Sequence, residues 1–149
     1  MCNPPEYERN SKEVVDLFQK ERDDVSNMLK TKARMVVDVL NSCKRLKCQE
    51  IQGAMYAFPR LFLTASAIEA AKTKGMEPCE YFCRRMLEQT GIITVPGMGM
   101  LVMIILLAFG QREGTYHFRL SLLIWELKEF SIVMETMKSF TEAFFVEYP

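Results

Sequence analysis

The chain has 149 residues, 19 of them Lys or Arg and 19 Asp or Glu, so its formal charge is zero. That length carries one domain with its own core and falls short of two, and the charge balance leaves no basic excess of the kind a nucleic-acid footprint requires. Five cysteines scattered at positions 2, 43, 48, 79 and 83 make an odd set, which points to free thiols in a reducing compartment rather than a disulfide framework.

Residues 1 to 9 are polar and proline-marked and read as an extended lead-in, without the basic and apolar regions of a secretory signal. Asn10 is placed to cap a helix, with Glu13 reaching back from its third position. Val14, Phe18, Val25, Leu29, Val36 and Leu40 recur at helical spacing and predict a long helix ending at Asn41 and Ser42. This helix reads as laid against its own domain, since the organised charge pairs of a zipper are missing; a coiled-coil partner helix is the other reading. Lys44, Arg45 and Lys47 form a basic cluster, read as a solvated connection or a phosphate contact.

Leu46 to Gln52 suits a strand, and Gly53 breaks it at a corner. Ala54 to Leu63 alternates again with Tyr56 and Phe58 on one face, and Pro59 restricts that segment to an edge or a bulge. Ser66 and Glu69 make a capping box for a short helix stopped at Gly75. Pro78 starts the next helix, Phe82, Cys83, Met86 and Leu87 supply its buried face, and Gly91 ends it. Cys79 and Cys83 lie one turn apart. That is metal-ligand spacing, but with one histidine in the chain two part-buried thiols fit better and no metal is expected.

Ile92 to Val95 reads as a short strand ended by Pro96 and Gly97. The run Met100 to Ala108 is wholly apolar, yet it is about half of the roughly 20 residues a spanning helix needs. It must pack against the core or stay exposed as an aggregation-prone or lipid-seeking segment. Phe130, Val133, Met137, Phe140 and Phe144 mark the core stripe of a long final helix. Long helix, strands, helices, strands and long helix together predict an α+β fold, a small sheet covered by helices.

Between the apolar run and the last helix lies Phe109 to Arg119. Gly110 and Gly114 bracket Gln111, Arg112 and Glu113 in a predicted tight turn. Thr115 to Leu120 is β-branched and aromatic, which suits a strand. Arg119 sits between Phe118 and Leu120. A guanidinium in such company, if buried, needs an anionic partner, and its planar fork matches a carboxylate. The other reading is an edge-strand arginine with its head in water. Arg112 reads as a solvated turn arginine or a contact for a second carboxylate. His117, the only histidine, reads as a hydrogen-bonded strand residue.

The blocks Gln52-Gly53-Ala54-Met55-Tyr56-Ala57-Phe58-Pro59-Arg60, Phe82 to Ile92 with Val95-Pro96-Gly97, and Phe109 to Arg119 are similar, in that order, to alanine aminotransferases. Asn3-Pro4-Pro5 resembles a family segment too. The resemblance implies the carboxy-terminal small domain of a fold-type I pyridoxal-phosphate enzyme that exchanges an amino group between alanine and 2-oxoglutarate. Residues 10 to 149 would form that domain, and residues 100 to 108 would be an insertion relative to the family.

By resemblance Arg119 clamps the substrate carboxylate. The Schiff-base lysine and the phosphate cradle belong to the large domain, and none of the ten lysines here has the matching context. The resemblance therefore implies no catalytic or cofactor-binding residue in this chain, and pyridoxal phosphate only in the full-length enzyme. It also implies amino-acid and 2-oxo-acid substrates, a homodimer, and a cytoplasmic or mitochondrial setting. The alternative from another class is a non-catalytic binding or dimerisation module.

Overall fold

A computed structural model of the chain describes residues 4–97, 114–123 and 126–149. The apolar run 100–108 and the turn residues 110–113, Arg112 among them, lie outside those residues.

Residues 7–9 form a turn, in which the backbone N–H groups of Arg9 and Asn10 both donate to the Glu6 carbonyl. Helix α1 spans Lys12–Ser42. Its N-cap is Ser11, and the Asn10 side chain donates back to the Glu6 carbonyl at 3.2 Å instead of capping the helix. No Gly or Pro interrupts its 31 residues, so propensity opposes the helix nowhere.

Only part of the predicted stripe is core. Val36 and Leu40 are fully buried and Leu29 packs against them, but Val14, Phe18 and Val25 are exposed. The main core takes in α1 only from Leu29 onward. The periodicity finds the packed face at Leu29, Val36 and Leu40, whereas near the start of α1 the buried residue is Val15 and not Val14.

Strand β1 is only Leu46–Lys47. The predicted strand to Gln52 stops early because the Asn41 side chain takes over the backbone at Cys48. Asn41 Oδ1 accepts from the Cys48 N–H at 2.9 Å, and Asn41 Nδ2 donates to the Cys48 carbonyl at 3.0 Å. An amide that satisfies both backbone groups removes them from the ladder.

β2 (Tyr56–Ala57) and β3 (Arg60–Leu61) both pair antiparallel with β5 (Tyr116–Ser121). They keep one register, from Tyr56 opposite Ser121 to Leu61 opposite Tyr116. They are thus one strand interrupted at Pro59, which has no N–H to donate but accepts from Phe118 N–H at 3.4 Å. β1 extends this side of the sheet by pairing with β3, and β4 (Val95–Pro96) pairs along the other edge of β5.

Helix α2 (Ala65–Thr73) is capped by Thr64, whose hydroxyl accepts from Ala67 N–H at 3.2 Å. The capping box predicted from Ser66 and Glu69 is not what forms. Thr64 is the residue that enters in the extended region, and Ser66 donates instead to the Pro149 carbonyl at 2.7 Å. Helix α3 (Pro78–Thr90) starts on its proline and ends on Gly91 at φ 73°, as its punctuation predicts. Ile92 is buried just beyond, its N–H held by the Thr90 hydroxyl at 3.1 Å, so β4 begins later than expected.

Helix α4 (Leu127–Glu147) buries Phe130, Met134, Met137, Phe140 and Phe144. Helices α1, α3 and α4 contact one another or the sheet on one side. Between them Phe82 sits fully buried, with ring centroids of Phe144, Phe140 and Phe118 at 5.0, 5.3 and 5.8 Å. The result is an α+β fold in which helices cover one face of a small antiparallel sheet.

Candidate functional site

Side chains alternate across a strand. In β5 this sends Phe118, Leu120 and Leu122 into the core, all nearly inaccessible, and leaves Arg119 on the opposite, exposed face. The apolar neighbours of Arg119 in sequence are therefore not its neighbours in space. The desolvation argument for an anionic partner does not apply within this chain, because the guanidinium is not buried.

The outer face is nonetheless unusual for one that meets water. Along β2 and β3 it presents Tyr56, Phe58, Arg60 and Phe62, all exposed. Along β5 it presents His117 and Arg119, and Val95 of β4 lies opposite Arg119. None of these positions is acidic. A half-solvated antiparallel sheet ordinarily shows polar residues on its outer side.

These groups are organised among themselves. The Arg119 guanidinium lies over the Tyr56 ring, 4.9 Å from its centroid. Arg60 lies over Phe62 at the same distance. Between the two pairs the rings of Phe58 and His117 stack at 4.8 Å, within 1° of parallel. Among the described residues no carboxylate lies within 4.0 Å of Arg119. Arg119 is thus a directed cation that no acid of this face occupies. Gly114, at φ 76°, turns the chain into β5; a residue with a Cβ adopts that backbone poorly.

Burial lowers the pKa of His117 from its ordinary 6.5, and the nearby Arg60 charge lowers it further. Both effects favour the neutral form of the imidazole stacked on Phe58. The stability this gives is complete above pH 6.5 and is lost as the pH falls through the lower folded-state value. Because His117 is the only histidine, one imidazole proton resonance reports it, and its midpoint is expected below 6.5.

The other sequence candidates fall elsewhere. Cys79 and Cys83 are both buried, and burial pushes the Cys83 thiol up to about 12. Among the described residues no three His, Cys, Asp or Glu side chains converge as metal ligands would. Lys44 and Arg45 border an open cavity of about 440 Å³ with Thr141, Glu142 and Phe145, and Arg45 lies over the Phe145 ring at 5.3 Å. Among the described residues no helix is long and apolar enough to cross a membrane.

No family model matches the chain. Alanine aminotransferase 2-like of Danio rerio is 38% identical over 148 residues, which is 99% of this chain and 25% of that protein. The chain matches a quarter of an alanine aminotransferase. Alanine aminotransferase 1 of Homo sapiens is 41% identical over 131 residues, and glutamate–glyoxylate aminotransferase 1 of Arabidopsis thaliana 38% over 148. The chain spans about a quarter of the length of each of these curated relatives.

Solved structures agree on the fold. An alanine aminotransferase from Pyrococcus furiosus superposes with a TM-score of 0.60 at 19% identity, over 87% of this chain and 26% of its own. An aspartate aminotransferase from Rhizobium meliloti gives 0.56 at 21%, over 85% and 27%. The aminotransferase-like α+β architecture expected from the sequence is therefore the one observed.

The fit of pyridoxal phosphate to this chain can be tested residue by residue. Nine of the ten lysines are exposed or partly exposed, on helices, connections and β1. The tenth, Lys32, has no accessible surface and places its amine 5.4 Å from the Phe130 ring centroid, between packed helices. Lys30, Lys44 and Lys74 border open pockets, and Arg119 lines none of the three.

Proposed function

We propose that this chain supplies the substrate-carboxylate arginine of an aminotransferase acting between alanine and 2-oxoglutarate, and that Arg119 is that residue. The observation that carries the reading is the exposed, acid-free setting of Arg119 on the uncovered face of the sheet. It is joined by similarity to alanine aminotransferases along nearly the whole chain. A guanidinium offers paired in-plane donors that match both oxygens of a carboxylate, which fixes orientation as well as charge. Orienting the acid end of an amino acid fixes the bond at its α-carbon relative to the reacting group. The remaining chemistry, including that of pyridoxal phosphate, lies with the three quarters of such an enzyme that this chain does not span. A homodimer and a cytoplasmic setting complete the reading.

The test is to give the purified chain pyridoxal phosphate, alanine and 2-oxoglutarate and to measure pyruvate. No turnover is expected from the chain alone. Turnover is expected on adding a polypeptide that carries the other three quarters of an alanine aminotransferase. Robust pyruvate formation by the chain alone, or none from the mixture, would contradict the proposal.

A further inference from the structure

A second residue of this face has a role that follows from the register. Phe58, not Tyr56, stands directly opposite Arg119, because Tyr56 pairs with Ser121 and Arg60 with His117. Yet the guanidinium lies over Tyr56, two residues along the strand. The reason is on the same face. The Phe58 ring is occupied by His117, stacked within 1° of parallel at 4.8 Å. On the other side of β5 the position opposite Arg119 is Val95, which has neither a π-face nor a charge to offer. Tyr56 is the ring left within diagonal reach, a distance that long side chains span across an antiparallel pair.

We propose that Tyr56 is a positioning residue that holds the Arg119 guanidinium by its flat face and leaves its in-plane N–H donors open to a carboxylate. This rests on the reading of Arg119 as the carboxylate arginine. A cation over a ring is attracted by the ring quadrupole through its π-face. A guanidinium laid flat on the ring would use none of the donors that a carboxylate needs, unlike an acid, which would compete for them. A long arginine side chain otherwise loses considerable rotamer freedom when it is fixed. Holding it beforehand removes part of that loss from the binding step. The ring carries this role and the hydroxyl does not, so Tyr56→Phe keeps it and Tyr56→Leu removes it. Tyr56 is exposed, so neither change disturbs the core.

The experiment uses the whole chain, isotopically labelled, with 2-oxoglutarate as the probe. The Arg119 side-chain Nε–H resonance is assigned by its loss in Arg119→Lys and followed during titration. The wild-type chain and Tyr56→Phe are expected to saturate at the same concentration. Tyr56→Leu is expected to need about three-fold more, the size of an exposed cation–π contact. If Arg119 of the wild-type chain does not respond to 2-oxoglutarate, the reading of Arg119 fails and this inference with it. If Arg119 responds and Tyr56→Leu titrates like the wild-type chain, or Tyr56→Phe is as weakened as Tyr56→Leu, the role of the Tyr56 ring alone is overturned.

Discussion

Replacing Phe82 by alanine is expected to destabilise the chain by about 3–5 kcal/mol, the range for truncating a fully buried phenylalanine. The side chain has no accessible surface and touches rings from two elements: Phe118 of β5 and Phe140 and Phe144 of α4, with Phe145 beyond them. Two of these contacts are edge-on, at interplanar angles of 65° and 82°. Edge-on pairs add about 0.5–1.5 kcal/mol beyond the area they bury. Small domains hold only about 5–15 kcal/mol in total. The loss is read from the urea midpoint of the variant. A loss below about 0.5 kcal/mol, taken as the midpoint shift times the urea slope and equal to an ordinary surface change, would show that Phe82 does not join the α3–α4 layer to the sheet.

The second large effect is on activity. In the mixture with the complementary polypeptide, Arg119→Ala is expected to lower kcat/KM for alanine by about 30-fold or more. Truncating one partner of a buried, hydrogen-bonded charge pair costs about 2–5 kcal/mol, and each 1.36 kcal/mol is about a factor of ten in rate. The chain alone leaves Arg119 exposed, so the full effect requires that the added polypeptide close over this face and exclude water. Stability should hardly change, because Arg119 makes no ion pair within the described residues. Arg119→Lys should recover little, since an ammonium lacks the planar pair of donors. A loss of activity matched by a loss of stability would assign Arg119 a structural part instead.

What the sequence shows and what it hides divide along one physical line. Helix α3 was legible because its limits are local: Pro78 has no N–H to lose at the first turn, and Gly91 takes the left-handed backbone at the last. The core stripe of α4 was legible for the same reason, with Phe130, Met137, Phe140 and Phe144 buried as their spacing predicts. The strands were less so. β1 stops at Lys47 because of an asparagine seven residues upstream of Cys48, and no window on 46–52 contains that information.

The site shows the same division. The alternation in 54–63 already placed Tyr56 and Phe58 on one face, and the strand containing Arg119 was recognisable from its composition. The sequence leaves the direction of Arg119 open between a buried cation and a strand arginine with its head in water; the period of two, which sends Phe118 and Leu120 to the other face, matches the second. The pairing that puts Tyr56 under Arg119 and Phe58 against His117 is a register between segments about 60 residues apart. Turn chemistry fixes register only in hairpins, so these contacts were not readable. Arg60 and Phe62 had no local signal beyond alternation.

The most direct test of the role of Arg119 is inhibition of the reconstituted mixture by propionate, which offers a carboxylate without an amino group. With the wild-type chain, propionate is expected to compete with alanine, and with Arg119→Ala that competition should disappear. Equal inhibition constants for the two mixtures would contradict the assignment of the carboxylate to Arg119.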